Sequence, residues 1–404
     1  MNNKCRSGIF AQQYVYEKAV KILTSSGKFR VSLGLERIEK ILDLLGNPQD
    51  RLSCIHVAGT NGKGSVCAIL ASILNEEHKK VGLYTSPHIF KYTERIKIGN
   101  DKISDKNFAK YVFDISNLAE QNNIDLTEFE ILTAVMFKYF ADENVEVAVI
   151  ETGLGGRFDA TNVIKKSLCS VITHIDYDHT DKLGTTLDKI AYEKAGIMKK
   201  DSPCIVLEGR EVFYDVASDV GALLEVISPV QLSNNLSLKG TYQQENLSLA
   251  LAVIEKIFPQ IDQTTIEHGL KKVKHPCRFQ YIKEKKLIVD GAHNPNGIMS
   301  LVESLDFYYP NTERRFIFGC LKNKDSEKML KYITQNNDEI YFYHFKHTNS
   351  NSIEDLQKIY PAGKKLLNSQ QIDFTDGKLT VICGSFYMIE ELLDFLGLST
   401  YFLE

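Results

Sequence analysis

Short apolar runs of strand length alternate with segments of helical period along almost the whole chain, and no other feature limits its choice of fold so sharply. Strands separated by helices return to their sheet through crossovers, so they pair in parallel and the layers are α/β. "CIHVAG" reads as a strand, and beyond it Val66, Ile69, Leu70, Ile73 and Leu74 recur at helical spacing. "VGLYTS" is the next strand, "FEILTAVMFKYFADE" a helix, "VEVAVIET" and "LCSVITHI" two more strands, and "NLSLALAVIEKIF" a further helix. Around Lys271–Lys286 the pattern changes to "KKVKHPCRFQYIKEKK", charged and interrupted by Pro276. A fresh series follows, with strands in "KLIVD", "RRFIFGC", "EIYFYHF" and "KLTVICG". The expected organisation is an N-terminal domain over 1–275 with a mainly parallel sheet, a linker over 276–283, and a smaller doubly wound domain over 284–404. A chain of 404 residues is long enough for two such cores.

Between the first strand and the first long helix lies "HVAGTNGKGSVCAIL". A glycine-rich loop at that place turns backbone N–H groups inward, the helix dipole favours an anion, and Lys63 adds a point charge. The spacing is unusual for a phosphate cradle. Only Thr60 and Asn61 separate Gly59 from Gly62-Lys63, and Gly64 precedes Ser65. The competing reading is a tight β–α turn, against which the strand–loop–helix context argues.

Several strands deliver chemistry to the edge where open α/β sheets bind ligands. "VAVIE" ends in Glu151 and "VGLYTSPH" exposes Ser86, hard oxygens of the kind Mg²⁺ takes beside phosphates. Either residue alone could simply shape a turn. "HIDYDHTD" packs His174, Asp176, Asp178, His179 and Asp181 into one stretch, without the Cys partners that zinc would favour. "EKAGI" places Lys194 in a helix near the same edge, although an isolated lysine there is more often solvated. "ETGLGGRFDATN" gathers Gly153, Gly155 and Gly156 ahead of Arg157 and Asp159, as a close backbone approach to a ligand requires. In the second series "IVDGAHNPNG" again ends a strand in an acid, Asp290, followed by His293 and Asn294.

Charge and composition remove other classes. A net charge of -4 and no long Lys/Arg run argue against a nucleic-acid partner. The eight cysteines (Cys5, Cys54, Cys67, Cys169, Cys204, Cys277, Cys320, Cys383) form no C-x-x-C pair and read as thiols of a reducing compartment. The N-terminus has charges scattered through it, unlike a secretory signal, and no apolar stretch is long enough for a bilayer. The expectation is a cytoplasmic protein with no membrane partner, and a monomer, since no heptad pattern is sustained.

Taken in order, "VSLGLERI", "AGTNGKGS", "YTSPHIFKYTERI", "ETGLGGRFDATN", "DHTDKLGTTLDKIAYEKAGI", "HPCRFQ", "DGAHNPNG", "FGCLKNKD" and "GSFYMIEELL" resemble the motifs of folylpolyglutamate synthases and dihydrofolate synthases, within the Mur ligase superfamily. That resemblance covers nearly the whole chain. It implies a P-loop-type ATPase domain followed by a Rossmann-like glutamate ligase domain. It also implies an amide ligase: ATP phosphorylates a folate or pteroate carboxylate, and the amine of L-glutamate displaces phosphate. Thr60, Asn61, Gly62, Lys63, Gly64 and Ser65 would hold ATP phosphates, with Asn246, Arg278 and Asp290 as further nucleotide contacts. Ser86 and Glu151 resemble ligands of a first Mg²⁺, His179 of a second, with a monovalent cation such as K⁺ as an additional expectation. Lys194 resembles the family lysine that becomes carbamylated, and Lys63, Glu151, His179 and Lys194 would carry the chemistry. The pterin side would be formed by Leu33 and Gly34, by Thr127, Phe129 and Glu130, and by Phe158, Asp159 and Ala160. Glu128 stands where some bifunctional members have an aromatic, and Tyr177 replaces a smaller residue.

The expected substrates are therefore ATP, L-glutamate, and tetrahydrofolate or dihydropteroate. A Mur-type ligase for another carboxylate is the nearest alternative, although only about fifty residues precede the loop, fewer than a separate UDP-binding domain needs. A nucleotide-binding regulator without turnover is the alternative from another class.

Overall fold

The computed structural model describes residues 3–26, 34–231, 235–336 and 338–402. The chain divides into two compact units that are not contiguous in sequence. The first comprises 1–175, 179–230 and 245–272, and the second comprises 176–178, 231–244 and 273–404.

In the first unit, α1 (Asn3–Ser25) and α2 (Glu36–Leu44) precede β1 (Cys54–Ala58), α3 (Lys63–Glu76) and β2 (Val81–Tyr84). A hairpin of β3 (Ile96–Ile98) and β4 (Asp101–Lys102) leads to α4 (Asp105–Gln121), α5 (Glu128–Asp142) and β5 (Val147–Glu151). Then come β6 (Cys169–Ile172), α6 (Thr180–Leu183), α7 (Leu187–Ala195), β7 (Pro203–Val206), α8 (Glu211–Val220) and β8 (Leu223–Val226). The helices α9 (Gln243–Ile257) and α10 (Gln263–Lys272) close the series.

The strands form one sheet in the order β4-β3-β2-β5-β1-β6-β7-β8. The six strands from β2 to β8 are parallel, and the β3–β4 hairpin runs antiparallel at one edge. β1, β2, β5 and β6 are buried at every residue, which is why they read as unbroken apolar runs and not as alternating ones. α5 packs against the sheet through fully buried Phe140, whose ring lies where a Cβ on Gly82 would come within 2.8 Å. Truncating such a ring costs about 3–5 kcal/mol. β1 sits between β5 and β6, and β5 also pairs with β2. The loops that leave β1, β2, β5 and β6 therefore start at one edge of the sheet.

The second unit contains β9 (Gln280–Ile282), β10 (Leu287–Val289), α11 (Pro295–Tyr308), β11 (Arg314–Phe318) and α12 (Ser326–Ile333). It continues with β12 (Glu339–Phe342), α13 (Ile353–Ile359), β13 (Lys364–Lys365), β14 (Leu379–Cys383) and α14 (Phe386–Phe395). Its sheet order is β13-β12-β11-β14-β10-β9, parallel except for β9, around a core that includes Phe316, Phe318, Phe342 and Val381. Two α/β units with mainly parallel sheets is the architecture read from the sequence. The segment read as a linker contains β9, a strand too short to show alternation. It turns back onto β10 through Lys286 at φ 43°. Residues 231–244 join the second unit through specific contacts: Ser237 Oγ donates to Val273 O at 2.5 Å and Thr241 N–H to Ser304 Oγ at 3.0 Å.

Among the described residues no helix is long and apolar enough to cross a membrane. The seven described cysteines are free and buried.

Candidate active site

The loop after β1 owes its shape to what presses on its glycines. Gly59 has φ 151°, and a Cβ there would sit 1.7 Å from Thr173 Oγ1 at the end of β6. Gly62 has φ 92°, and its Cβ would sit 2.2 Å from Asn246 Oδ1 on α9. Thr173 Oγ1 donates to Asn61 O at 2.6 Å, and Thr60 N–H donates to His174 O at 2.8 Å, so β6 fixes the loop from one side. Gly62 is the N-cap of α3, whose start has no side-chain cap and no acid in its first turn. Such a helix end offers its N–H groups and dipole to an anion. Thr60 and Asn61 lie in the loop, and Gly64 and Ser65 are buried in the first turn.

Two cations meet here. Lys63 Nζ donates to Gly59 O at 3.1 Å and to Thr60 O at 3.2 Å, while Lys194 Nζ, from the last turn of α7, donates to the same Gly59 O at 2.7 Å. Lys194 is only 4% exposed. Two lysine side chains thus converge on one carbonyl of the loop.

A carboxylate faces the same loop system. Glu151 ends β5, is buried, and accepts the backbone N–H of Ser86, just beyond β2, at 2.9 Å on Oε2. On α3 the Cys67 thiol is pushed well above its usual pKa by burial first and by the charge of Glu151 second, with Lys63 opposing. Both charges therefore act on the first turns of α3. Ser86 and Glu151, far apart in sequence, are neighbours in the structure. His179 is the N-cap of α6, exposed, in the left-handed region at φ 49°. His174 Nδ1 lies 3.7 Å from Glu245 Oε2, and Tyr177 is exposed.

The glycine-rich stretch after β5 is organised by Asp159. Its Oδ2 accepts Leu154 N–H at 2.8 Å, and its Oδ1 accepts Thr161 N–H at 3.0 Å and the Thr161 hydroxyl at 2.5 Å. Burial raises the Asp159 pKa, and these donors pull it back. Thr161 spends its proton on Asp159, so the contact at 2.8 Å between Thr161 Oγ1 and His56 Nε2 makes the imidazole the donor. His56, fully buried on β1, has its pKa lowered to about 3 by burial, with the charge of Lys199 adding to the effect. Lys199 is itself lowered to about 8 by burial and donates to Asn162 Oδ1 at 2.8 Å.

Of the residues expected at the pterin side, Leu33 lies outside the described residues, and Gly34 has φ 118°. Thr127 and Glu130 form a capping box at the start of α5. Thr127 N–H and Oγ1–H each donate to Glu130 Oε2 at 2.8 Å, and Arg37 Nε reaches Oε1 at 3.0 Å. These polar atoms, like those of Asp159, hold local structure. The T-x-x-E spacing was the available signal for it. Phe129 packs where a Cβ on Gly153 would come within 2.4 Å, Ala160 is buried, and Phe158 is 44% exposed. Glu128 Oε1 accepts the Tyr92 hydroxyl at 2.9 Å.

In the second unit Asp290 accepts Ala292 N–H on Oδ1 at 2.7 Å, and Phe279 N–H and the Tyr242 hydroxyl on Oδ2 at 2.7 Å and 2.9 Å. The Arg278 guanidinium lies 4.8 Å from the centre of the Phe386 ring. Asp178 pairs with Lys324 and accepts Asn294 Nδ2–H at 3.1 Å. Thr173, Tyr242 and Lys324 were not singled out from the sequence. Each is an ordinary residue type whose importance comes from a contact distant in the chain.

The Mur ligase middle domain family matches residues 57–217, and the Mur ligase, glutamate ligase domain family matches 277–385. The chain is 31% identical to the dihydrofolate synthetase of Saccharomyces cerevisiae, over 90% of this chain and 97% of that one. It is also 31% identical to the dihydrofolate synthase/folylpolyglutamate synthase of Bacillus subtilis, over 93% and 98%. The bifunctional folylpolyglutamate synthase/dihydrofolate synthase of Yersinia pestis, solved in complex with AMPPNP and a Mn ion, superposes with a TM-score of 0.84 at 28% identity, covering 95% of this chain and 98% of that one. A glycine-rich loop at a helix start with two converging lysines, a strand-end carboxylate near it and whole-length similarity lead to one conclusion: the chain belongs to the folylpolyglutamate synthase and dihydrofolate synthase family of Mur ligases, ATP-dependent enzymes that join L-glutamate to a folate-type carboxylate.

Proposed function

We propose that this chain uses ATP to add L-glutamate to tetrahydrofolate, and also to dihydropteroate, through an acyl phosphate. A substrate carboxylate oxygen attacks the γ-phosphorus and ADP leaves. The glutamate amine then attacks the acyl carbon, phosphate departs and the nitrogen loses its proton. The observation that carries this reading is the convergence of Lys63 and Lys194 on Gly59 O, beside Glu151. Bringing a polyphosphate and a carboxylate together creates repulsion that the Lys63 side chain and a divalent cation would offset, while Lys194 is placed to act on the same loop.

In this reading the N–H groups of residues 60–65 cradle the phosphates, and Lys63 exchanges its carbonyl acceptors for phosphate oxygens. Asn246, against the loop at Gly62, contacts the adenine side, Arg278 and Asp290 are further nucleotide contacts, and the second unit is assigned to glutamate ligation. Among the described residues no cluster of three or more His, Cys, Asp or Glu exists, so an all-protein metal cage does not fit. One carboxylate and one hydroxyl on neighbouring strand ends fit Mg²⁺, which takes most of its shell from phosphates and water. Glu151 and Ser86 would hold a first ion and His179 a second; bound Mg²⁺ would supply charge neutralisation for the phosphates. A monovalent cation such as K⁺ completes the proposed set. Lys194 is the candidate for carbamylation, which needs the amine in its neutral form.

Glu128 favours a narrower second reading. A charged side chain beside the start of α5 presents a different surface to a pteroate ring than an aromatic does, and it fits a dedicated folylpolyglutamate synthase. Product formation by mass spectrometry, with ATP, L-glutamate, and dihydropteroate or tetrahydrofolate in separate reactions, tests both. Product from both acceptors supports the bifunctional reading, and product from tetrahydrofolate alone supports the narrower one. Product from neither refutes the proposed substrates.

A further inference from the structure

Arg278 sits in a strained turn of the second unit. Its neighbours Cys277 and Phe279 both have positive φ, 57° and 45°, although neither is glycine. A bulky side chain in the left-handed region costs on the order of 1–2 kcal/mol and persists only where its surroundings impose it. The surroundings here are specific. Gly291 N–H donates to Cys277 O at 2.7 Å on one side of Arg278, and Phe279 N–H donates to Asp290 Oδ2 at 2.7 Å on the other. Phe279 is buried, and Cys277 is fully so. The Phe386 ring lies beneath the Arg278 guanidinium and fills the space of a missing Cβ at Gly291, where that atom would come within 2.0 Å of Cζ.

Asp290 is the hub of this arrangement, and Tyr242 supplies its third donor. Burial and the charge of Asp290 keep the Tyr242 phenol protonated well above its usual range, with Arg278 close enough to act in the opposite sense. The phenol is therefore a permanent donor. With three donors from its own unit and only 3% exposure, Asp290 holds this turn together.

We propose that Tyr242 is a positioning residue for nucleotide binding: its hydrogen bond to Asp290 clamps the strained Cys277–Phe279 turn and thereby aims the Arg278 guanidinium. This rests on the reading that Arg278 contacts the nucleotide. Tyr242→Phe deletes one hydrogen bond and leaves the two backbone donors on Asp290. The expected result is a rise of about three- to tenfold in KM for ATP, the range one hydrogen bond of this kind supports, with KM for glutamate unmoved. A general loss of fold would move both constants and the melting temperature together.

The double variant decides the route. If Tyr242 acts through Arg278, then Tyr242→Phe adds nothing to KM for ATP in an Arg278→Ala background. Additive effects would overturn the positioning role and leave Arg278 as a nucleotide contact. An unchanged KM for ATP in Arg278→Ala alone would remove that contact, and the positioning proposal with it.

Discussion

His56 gives this protein a built-in sensitivity to acid whose size follows from its surroundings. The side chain is fully buried on β1, donates through Nε2 to Thr161, and has no hydrogen-bond partner at Nδ1 among the described residues. Its folded pKa of about 3 lies far below the 6.5 of an exposed imidazole, with burial as the main cause. Below pH 6.5 the unfolded chain therefore binds a proton that the folded chain refuses. The stability from a neutral His56 is complete above pH 6.5 and drains away as pH falls toward 3, at about 1.4 kcal/mol per pH unit. Moving from pH 7 to pH 5 removes about 2 kcal/mol through this one residue. Asp159, whose pKa is raised, works in the opposite direction, because protonating it relieves the folded state. His56→Gln keeps an N–H for Thr161 and cannot titrate, so Asp159 contributes equally to both proteins and cancels. Urea unfolding followed by circular dichroism suits a chain without tryptophan. The wild type should lose about 2 kcal/mol more than His56→Gln between pH 7 and pH 5. Equal losses in the two proteins would refute the assignment.

Two further outcomes bear on the active site. Glu151→Gln should abolish most ADP formation and weaken the dependence on divalent cation, and chelator should silence the wild type reversibly; full turnover by the variant in chelator would remove Glu151 from metal binding. Lys194→Ala should lose most activity, and electron density of the wild type crystallised with bicarbonate should show added carboxylate density on Nζ; a bare amine there would refute carbamylation.

The sequence was most legible where one physical cause acts alone. β1, β2, β5 and β6 are buried on both faces, so their apolar runs were unbroken and easy to place. The loop from Gly59 to Ser65 was found because glycine between a strand and a helix has few other uses. Ser86 and Glu151 were each unremarkable alone; the pairing of β2 with β5 makes them neighbours, and no local pattern records that. Thr127, Glu130 and Asp159 were read toward the ligand, yet their polar atoms bond to a helix start and a glycine loop. An acid near a site looks the same in sequence whether it faces a substrate or its own backbone. β9 was hidden because three residues cannot display a period. The docking of 231–244 onto the second unit was hidden because Thr241 and Tyr242 make their contacts with Ser304 and Asp290, far away in the chain.

The glycines of the loop after β1 also bear on how this protein can change over generations. At Gly62 a side chain would meet both the loop's own left-handed backbone, at φ 92°, and Asn246 Oδ1, 2.2 Å from the missing Cβ; at Gly59 it would meet a backbone at φ 151° and Thr173 Oγ1, at 1.7 Å. Positions 59 and 62 are therefore held to glycine twice over, by the loop's own backbone and by two residues on other elements. A retreat at 246 alone would not admit a side chain at 62, because the backbone there stays at φ 92°. The loop's motif is in effect inherited as a block.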